Sequence, residues 1–113
     1  MSKRDFHLLV DDILQSAIKI KIYSKDLSFD VFIKDGKTFD AVVRNFTIIG
    51  EASNRIDNDI KMKFPLIDWN EIRGLRNRIV HEYFGIDNQI LWEIIENELD
   101  YLIENLELIK SKL

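Results

Sequence analysis

Cysteine is absent from this 113-residue chain, so a disulfide framework and a thiolate metal site are both excluded. Proline occurs once and glycine four times. Period-two alternation is also scarce, and the whole chain reads as helical. No apolar run is long enough to cross a membrane, and Met1-Ser2-Lys3-Arg4-Asp5 leads into an amphipathic rather than a continuously apolar segment. A cytoplasmic protein with no membrane partner is the expectation. A net positive charge is missing too: the formal charge is −4, which argues against coating nucleic acid through bulk electrostatics. Histidine occurs only as His7 and His81, which share no ligand spacing. There is no H-E-x-x-H, no Cys/His cluster and no paired-Asp loop, so no metal site is expected. No glycine-rich phosphate loop is present, and no cofactor is expected.

What positive charge the chain has is concentrated. Lys61, Lys63, Arg73, Arg76 and Arg78 stand against only Asp68 and Glu71 in residues 61–81. The C-terminal segment runs through Glu93, Glu96, Glu98, Asp100, Glu104 and Glu107 before its first lysine, Lys110. The pattern reads as a small phosphate-contacting patch on an otherwise acidic body.

The length suits one domain, residues 1–113, with one hydrophobic core. Phe6, Leu9, Val10, Ile13, Leu14, Ala17 and Ile20 recur at helical spacing behind a Ser2/Asp5 cap. Lys25-Asp26-Leu27 breaks that helix, and Ser28 caps a short turn carrying Phe29, Phe32 and Ile33, which Asp35-Gly36 ends. A long second helix is predicted from Thr38, with Val42, Val43, Phe46, Ile49, Ser53 and Ile56 as its stripe and a bend before Phe64-Pro65. Gly50, Ala52 and Ser53 lie inside it. A mid-helix glycine costs about 1 kcal/mol relative to alanine, so another helix is expected to approach closely there. Asp68 and Glu71 start a third helix, Gly85 fits its terminating turn, and Asp87 caps a single last helix with the stripe Leu91, Ile94, Ile95, Leu99, Leu102, Leu106 and Ile109. The fold class is all-α, an up-down bundle of four main helices with short extras.

Near the end of the third helix lies Arg76-Asn77-Arg78-Ile79-Val80-His81-Glu82-Tyr83, with the spacing R-x4-H-x-Y. Arginine is a permanent cation whose fork of donors fits phosphate oxygens. Histidine gives and takes protons near neutral pH. Together they suffice for metal-independent RNA cleavage, with the ribose 2′-hydroxyl as nucleophile. The plain alternative is that both residues complement the C-terminal end of a helix. On an ideal helix Arg76 and Tyr83 lie within about 20° of one stripe. His81 falls roughly 140° from Arg76, so the three do not converge on one straight helix.

The surroundings of the motif decide between these readings. Leu27-Ser28-Phe29, Asp40-Ala41-Val42-Val43-Arg44-Asn45-Phe46, Ile48-Ile49-Gly50-Glu51-Ala52, Asp68-Trp69, Gly74-Leu75-Arg76-Asn77, His81 to Asp87 and Trp92-Glu93 follow in an order that resembles the HepT-like branch of the HEPN superfamily. The resemblance runs through nearly the whole chain. Leu75 departs from it where methionine is frequent, and Ile67 where proline often precedes tryptophan.

HepT-like proteins are helical ribonuclease toxins found beside minimal (MntA-type) nucleotidyltransferase antitoxins. The resemblance implies a homodimer that brings two motifs together, with Arg76 stabilising the scissile phosphate and His81 as general acid or base. Asn77 would orient phosphate or imidazole, and Arg73 and Arg78 would help bind RNA. Tyr83 would receive AMP from the antitoxin; without the resemblance it reads as a half-buried aromatic near a helix end. Glu51 reads either as the carboxylate partner of a motif arginine or as an exposed helix-face residue. His7, beside the apolar stripe of the first helix, reads as structural. A second function class stays open: a non-catalytic helical binding module that partners, or is modified by, a nucleotidyltransferase.

Overall fold

The computed structural model describes residues 1–81 and 87–113, with the backbone alone for Val80 and His81. Its elements are α1 (Lys3–Ser24), α2 (Phe29–Lys34), α3 (Gly36–Asn54), α4 (Asn58–Lys61), α5 (Trp69–His81), α6 (Asn88–Asn97) and α7 (Leu99–Ser111). The protein is all-α, with no strand among the described residues.

Helix α1 begins on a reciprocal cap: the Asp5 backbone N–H donates to Ser2 Oγ at 3.0 Å, and the Ser2 N–H to Asp5 Oδ2 at 3.4 Å. Its stripe from Phe6 to Ile20 is buried as the spacing predicts. The helix stops before Asp26, which sits at φ 60° in the left-handed region that Asp tolerates better than most residues. Ser28 then caps α2, accepting from the Val31 N–H at 3.2 Å.

Helix α3 starts at Gly36, two residues earlier than expected. Asp35 closes α2 and also caps α3, accepting from the Thr38 N–H at 3.1 Å and the Thr38 hydroxyl at 2.8 Å. Thr38 is therefore the third residue of the helix. At the other end α3 stops at Asn54, and the one-turn α4 replaces the expected continuation. There the Asp57 carboxylate pairs with the Met1 ammonium at 3.1 Å, which brings the start of α1 to the far end of α3.

Helix α1 is the hub, packing against α3 and α7, with α5 resting on α3. Two ion pairs set the direction of α7: Asp11 with Lys110 at 2.6 Å and Lys21 with Asp100 at 3.0 Å, so the two helices run antiparallel. The aromatic corner is Phe32, fully buried between Trp92 and Phe39 with ring centroids at 5.1 and 5.5 Å.

The expected single last helix is two. Asp87 caps the first, accepting from the Gln89 and Ile90 N–H groups, and the chain breaks at Glu98, φ −123°. Leu91, Ile95 and Leu99 are all buried. Successive i+4 steps rotate such a stripe by roughly 80° over eight residues, and the break lets α7 point Leu99, Leu106 and Ile109 back at the core.

Candidate functional site

Helix α5 carries the motif and is fixed at its start by two contacts. Asp68 Oδ1 accepts from the Glu71 N–H at 3.0 Å, and the Trp69 indole N–H donates to the Phe64 carbonyl at 3.2 Å. The expected Asp68 start and Trp69 packing are both present.

The site is built where α5 crosses α3. A Cβ on Gly50 would collide with Arg76 Cβ, lie 2.5 Å from its Cγ and 3.4 Å from its Cα. The small residue therefore serves close approach, as its place mid-helix predicts, and the residue it admits is the motif arginine. The next residue of α3 then holds the guanidinium: Arg76 Nε and Nη2 both lie 2.7 Å from Glu51 Oε1. Arg76 Nη1 donates to Asn77 Oδ1 at 3.1 Å. A guanidinium has five N–H groups; among the described residues these contacts occupy one on each nitrogen, so Nη1 and Nη2 keep one apiece. The Arg76 side chain is 24% exposed, so solvent and an anion can reach it.

Arg73, Asn77 and Arg78 are exposed on α5. The Lys61 ammonium lies 5.8 Å from the Trp69 ring centroid. Partial burial and the Arg73 charge hold Lys61 below the usual lysine range. The positive cluster read from the sequence thus has at least two members that feel each other. His81 is the last residue of α5, so its backbone is placed five residues beyond Arg76 on one helix. Tyr83 and the turn at Gly85 lie outside the described residues. His7 is half-buried on α1. Among the described residues no three His, Asp or Glu side chains converge as a metal site.

One feature was not foreseen. Between α5 and the α6–α7 junction lies a hollow of about 280 Å³, walled by Phe46, Ile49, Ile72, Leu75, Leu99 and Leu102. Glu71 and Glu98 meet at its rim. A hydrogen bond that the protonated Glu71 carboxyl donates to Glu98, partial burial and the charges of Glu98 and Asp68 push the Glu71 carboxyl up to about 7. The signal that would have exposed this pair is the helix break at Glu98, which nothing in the apolar stripe announces.

The family model for ribonuclease HepT-like proteins matches residues 13–109. Among curated proteins, a candidate RNase of Methanocaldococcus jannaschii is 41% identical over 96% of this chain and 100% of its own length. A probable ribonuclease HepT of Thermococcus cleftensis is 36% identical over 88% of this chain and 91% of its own. A candidate RNase of Caldanaerobacter subterraneus is 38% identical over 78% of this chain and 79% of its own. No solved structure gives a significant match.

Proposed function

The chain belongs to the HepT-like ribonuclease family, and from that premise we propose that it is a metal-independent endoribonuclease acting as the toxin of a toxin–antitoxin pair. The observation that carries this reading is the setting of Arg76. Its backbone is seated on Gly50 and its angle is set by Glu51 and Asn77, yet the contacts among the described residues leave two N–H groups for an incoming anion. A guanidinium serving only to cap a helix end needs neither the glycine nor the carboxylate.

In the proposed reaction the ribose 2′-oxygen attacks phosphorus and loses its proton as the O2′–P bond forms. The P–O5′ bond breaks, and the departing oxygen takes up a proton to leave as a 5′-hydroxyl. The other product ends in a 2′,3′-cyclic phosphate. Arg76 stabilises the charge on the phosphoryl oxygens, and His81 carries the proton of the nucleophile or of the leaving group. Arg73, Asn77 and Arg78 bind and orient the RNA backbone. Because Arg76 and His81 lie roughly 140° apart on an ideal helix, two copies of the HEPN-type bundle pair their motif helices to complete each site. Tyr83 is the control point, where a nucleotidyltransferase antitoxin attaches AMP.

RNA cleavage by the purified chain should persist in EDTA, yield 2′,3′-cyclic ends, and disappear in folded Arg76→Ala and His81→Ala variants. Full activity in His81→Ala would favour the second reading, a non-catalytic helical module that partners a nucleotidyltransferase. The Glu51–Arg76 pair is the observation that keeps this second reading in view, since an ion pair of this kind also serves a purely structural helix crossing.

A further inference from the structure

Lys61 of α4 and Arg73 of α5 repel each other. Among the described residues the ion pairs engage Lys21, Arg76, Lys110 and the Met1 ammonium, and neither Lys61 nor Arg73. Asp68 and Glu71, the acidic residues of the same stretch, line the hollow toward α7, and Glu71 sits roughly 160° around the helix from Arg73. Lys61 is also half-buried, so desolvation and the Arg73 charge both disfavour its charged form. Two cations kept together at that cost leave an anion to be supplied from outside.

Lys61 stands on a built support. Its ammonium lies over the Trp69 ring, 5.8 Å from the centroid, and a π face attracts the charge without engaging the N–H groups as a carboxylate would. The ring is itself pinned. The Trp69 indole N–H donates to the Phe64 carbonyl at 3.2 Å, and the Phe64 backbone N–H donates to the Lys61 carbonyl at 3.0 Å. Phe64 in turn stacks on Phe6 of α1, with ring centroids 5.5 Å apart. A lysine on an ordinary solvated face needs none of these contacts.

Trp69, Arg73 and Arg76 follow at i, i+4 and i+7, along one stripe of α5. At about 1.5 Å per residue, Arg76 stands about 4.5 Å along the axis from Arg73 and about 10.5 Å from Trp69. A strand that advances about 3.4 Å or more per phosphate covers the longer distance in about three nucleotides. We propose that Lys61 and Arg73, on the Trp69 support, form a second phosphate subsite, which holds the RNA strand within about three nucleotides of the phosphate at Arg76. The inference rests on the reading of Arg76 as a phosphate-binding residue, and it extends substrate recognition beyond the motif helix to α4. Lysine offers a point charge rather than a planar fork, so Lys61 retains the strand without fixing the geometry of the reacting phosphate.

Salt dependence of binding tests the proposal, because a purely structural role would not move it. The probe is a short single-stranded 2′-O-methyl oligonucleotide, which has the phosphates of RNA and no nucleophile, so fluorescence anisotropy on the full chain reads binding without turnover. Losing one phosphate contact lowers the slope of log affinity against log salt by about 0.7 for a single strand. Lys61→Gln and Arg73→Gln should each show that reduction and bind roughly threefold or more weakly at low salt. Lys61→Arg keeps the charge and should keep the slope. Lys34→Gln removes the same net charge at the opposite end of α3, on an exposed residue, and should leave the slope unchanged. Circular dichroism confirms folding of each variant. An unaltered slope in Lys61→Gln, an equal loss in Lys34→Gln, or an unmodified chain that does not bind the probe overturns the proposal. Cleavage of ordinary RNA reports separately: a chain that binds as expected yet leaves RNA uncut keeps the subsite and loses the ribonuclease reading.

Discussion

Replacing Gly50 by alanine puts the proposed architecture under direct stress. The added Cβ meets Arg76 Cβ and Cγ, atoms close to the backbone that no rotamer change at the end of the side chain can move away. The helices must separate. Overpacking of this kind costs typically about 1–3 kcal/mol, and contact with a backbone-tied atom belongs in the upper half of that range. Alanine recovers about 1 kcal/mol of helix propensity. The net expectation is a loss of about 1–2 kcal/mol, or a fall in Tm of roughly 4–8 °C. The same separation carries Arg76 away from Glu51. A misplacement on the order of 1 Å can cost a large factor in rate, so RNA cleavage should fall by roughly tenfold or more. Thermal unfolding and a cleavage assay on the same preparation measure both effects. A Gly50→Ala variant that gained the propensity term and cleaved RNA normally would show that α3 and α5 do not meet at this glycine.

Glu71→Gln should flatten the dependence of stability on pH near neutrality. The folded carboxyl titrates at about 7 against an ordinary value of 4.5. Its contribution is thus fully present below about pH 4.5 and is lost as pH rises through 7. Chemical denaturation between pH 5 and 8 should show stability falling in the unmodified chain and less so in the variant, and equal slopes would remove the Glu71–Glu98 contact from consideration. Tyr83→Phe should keep the ring and escape modification. Incubation with a partner nucleotidyltransferase and ATP should add AMP-sized mass to the unmodified chain at the Tyr83 peptide and suppress cleavage, while full neutralisation of the variant without added mass would mean inhibition by complex formation.

The helical stripes were legible because burial on one face imposes a 3.6-residue period that Phe6 to Ile20 and Val42 to Ile49 display openly. The caps at Ser2, Ser28, Asp68 and Asp87 were legible because each satisfies backbone N–H groups a fixed two or three residues away. Asp35 was placed but half understood: one residue closes a helix and opens the next, and only the Thr38 contacts reveal the second role. The pairing of Glu71 with Glu98 was not legible at all. Nothing local links an α5 residue to a helix junction beyond α6, and the contact exists only because the fold brings those segments to one rim.

Gly50 and Glu51 lie between these cases. The glycine announced a close approach without naming what approaches, and the glutamate stood open between a solvent-facing carboxylate and the partner of an arginine. The structure answers both questions with one residue, since Arg76 is the side chain that Gly50 admits and Glu51 holds. That coincidence bears on function. A long, flexible arginine on an acidic body would have to be ordered at the moment an anion binds, at roughly 0.5–1.5 kcal/mol per immobilised side chain. Here the ordering is done during folding, by a carboxylate that uses Nε and one Nη2 hydrogen and an amide that takes one Nη1 hydrogen, and among the described residues these contacts leave an N–H on each terminal nitrogen. Glu51 lowers the net charge that a phosphate meets while fixing the direction from which it must come, and such an exchange of raw attraction for orientation is useful where the bound phosphate is to react rather than merely be retained.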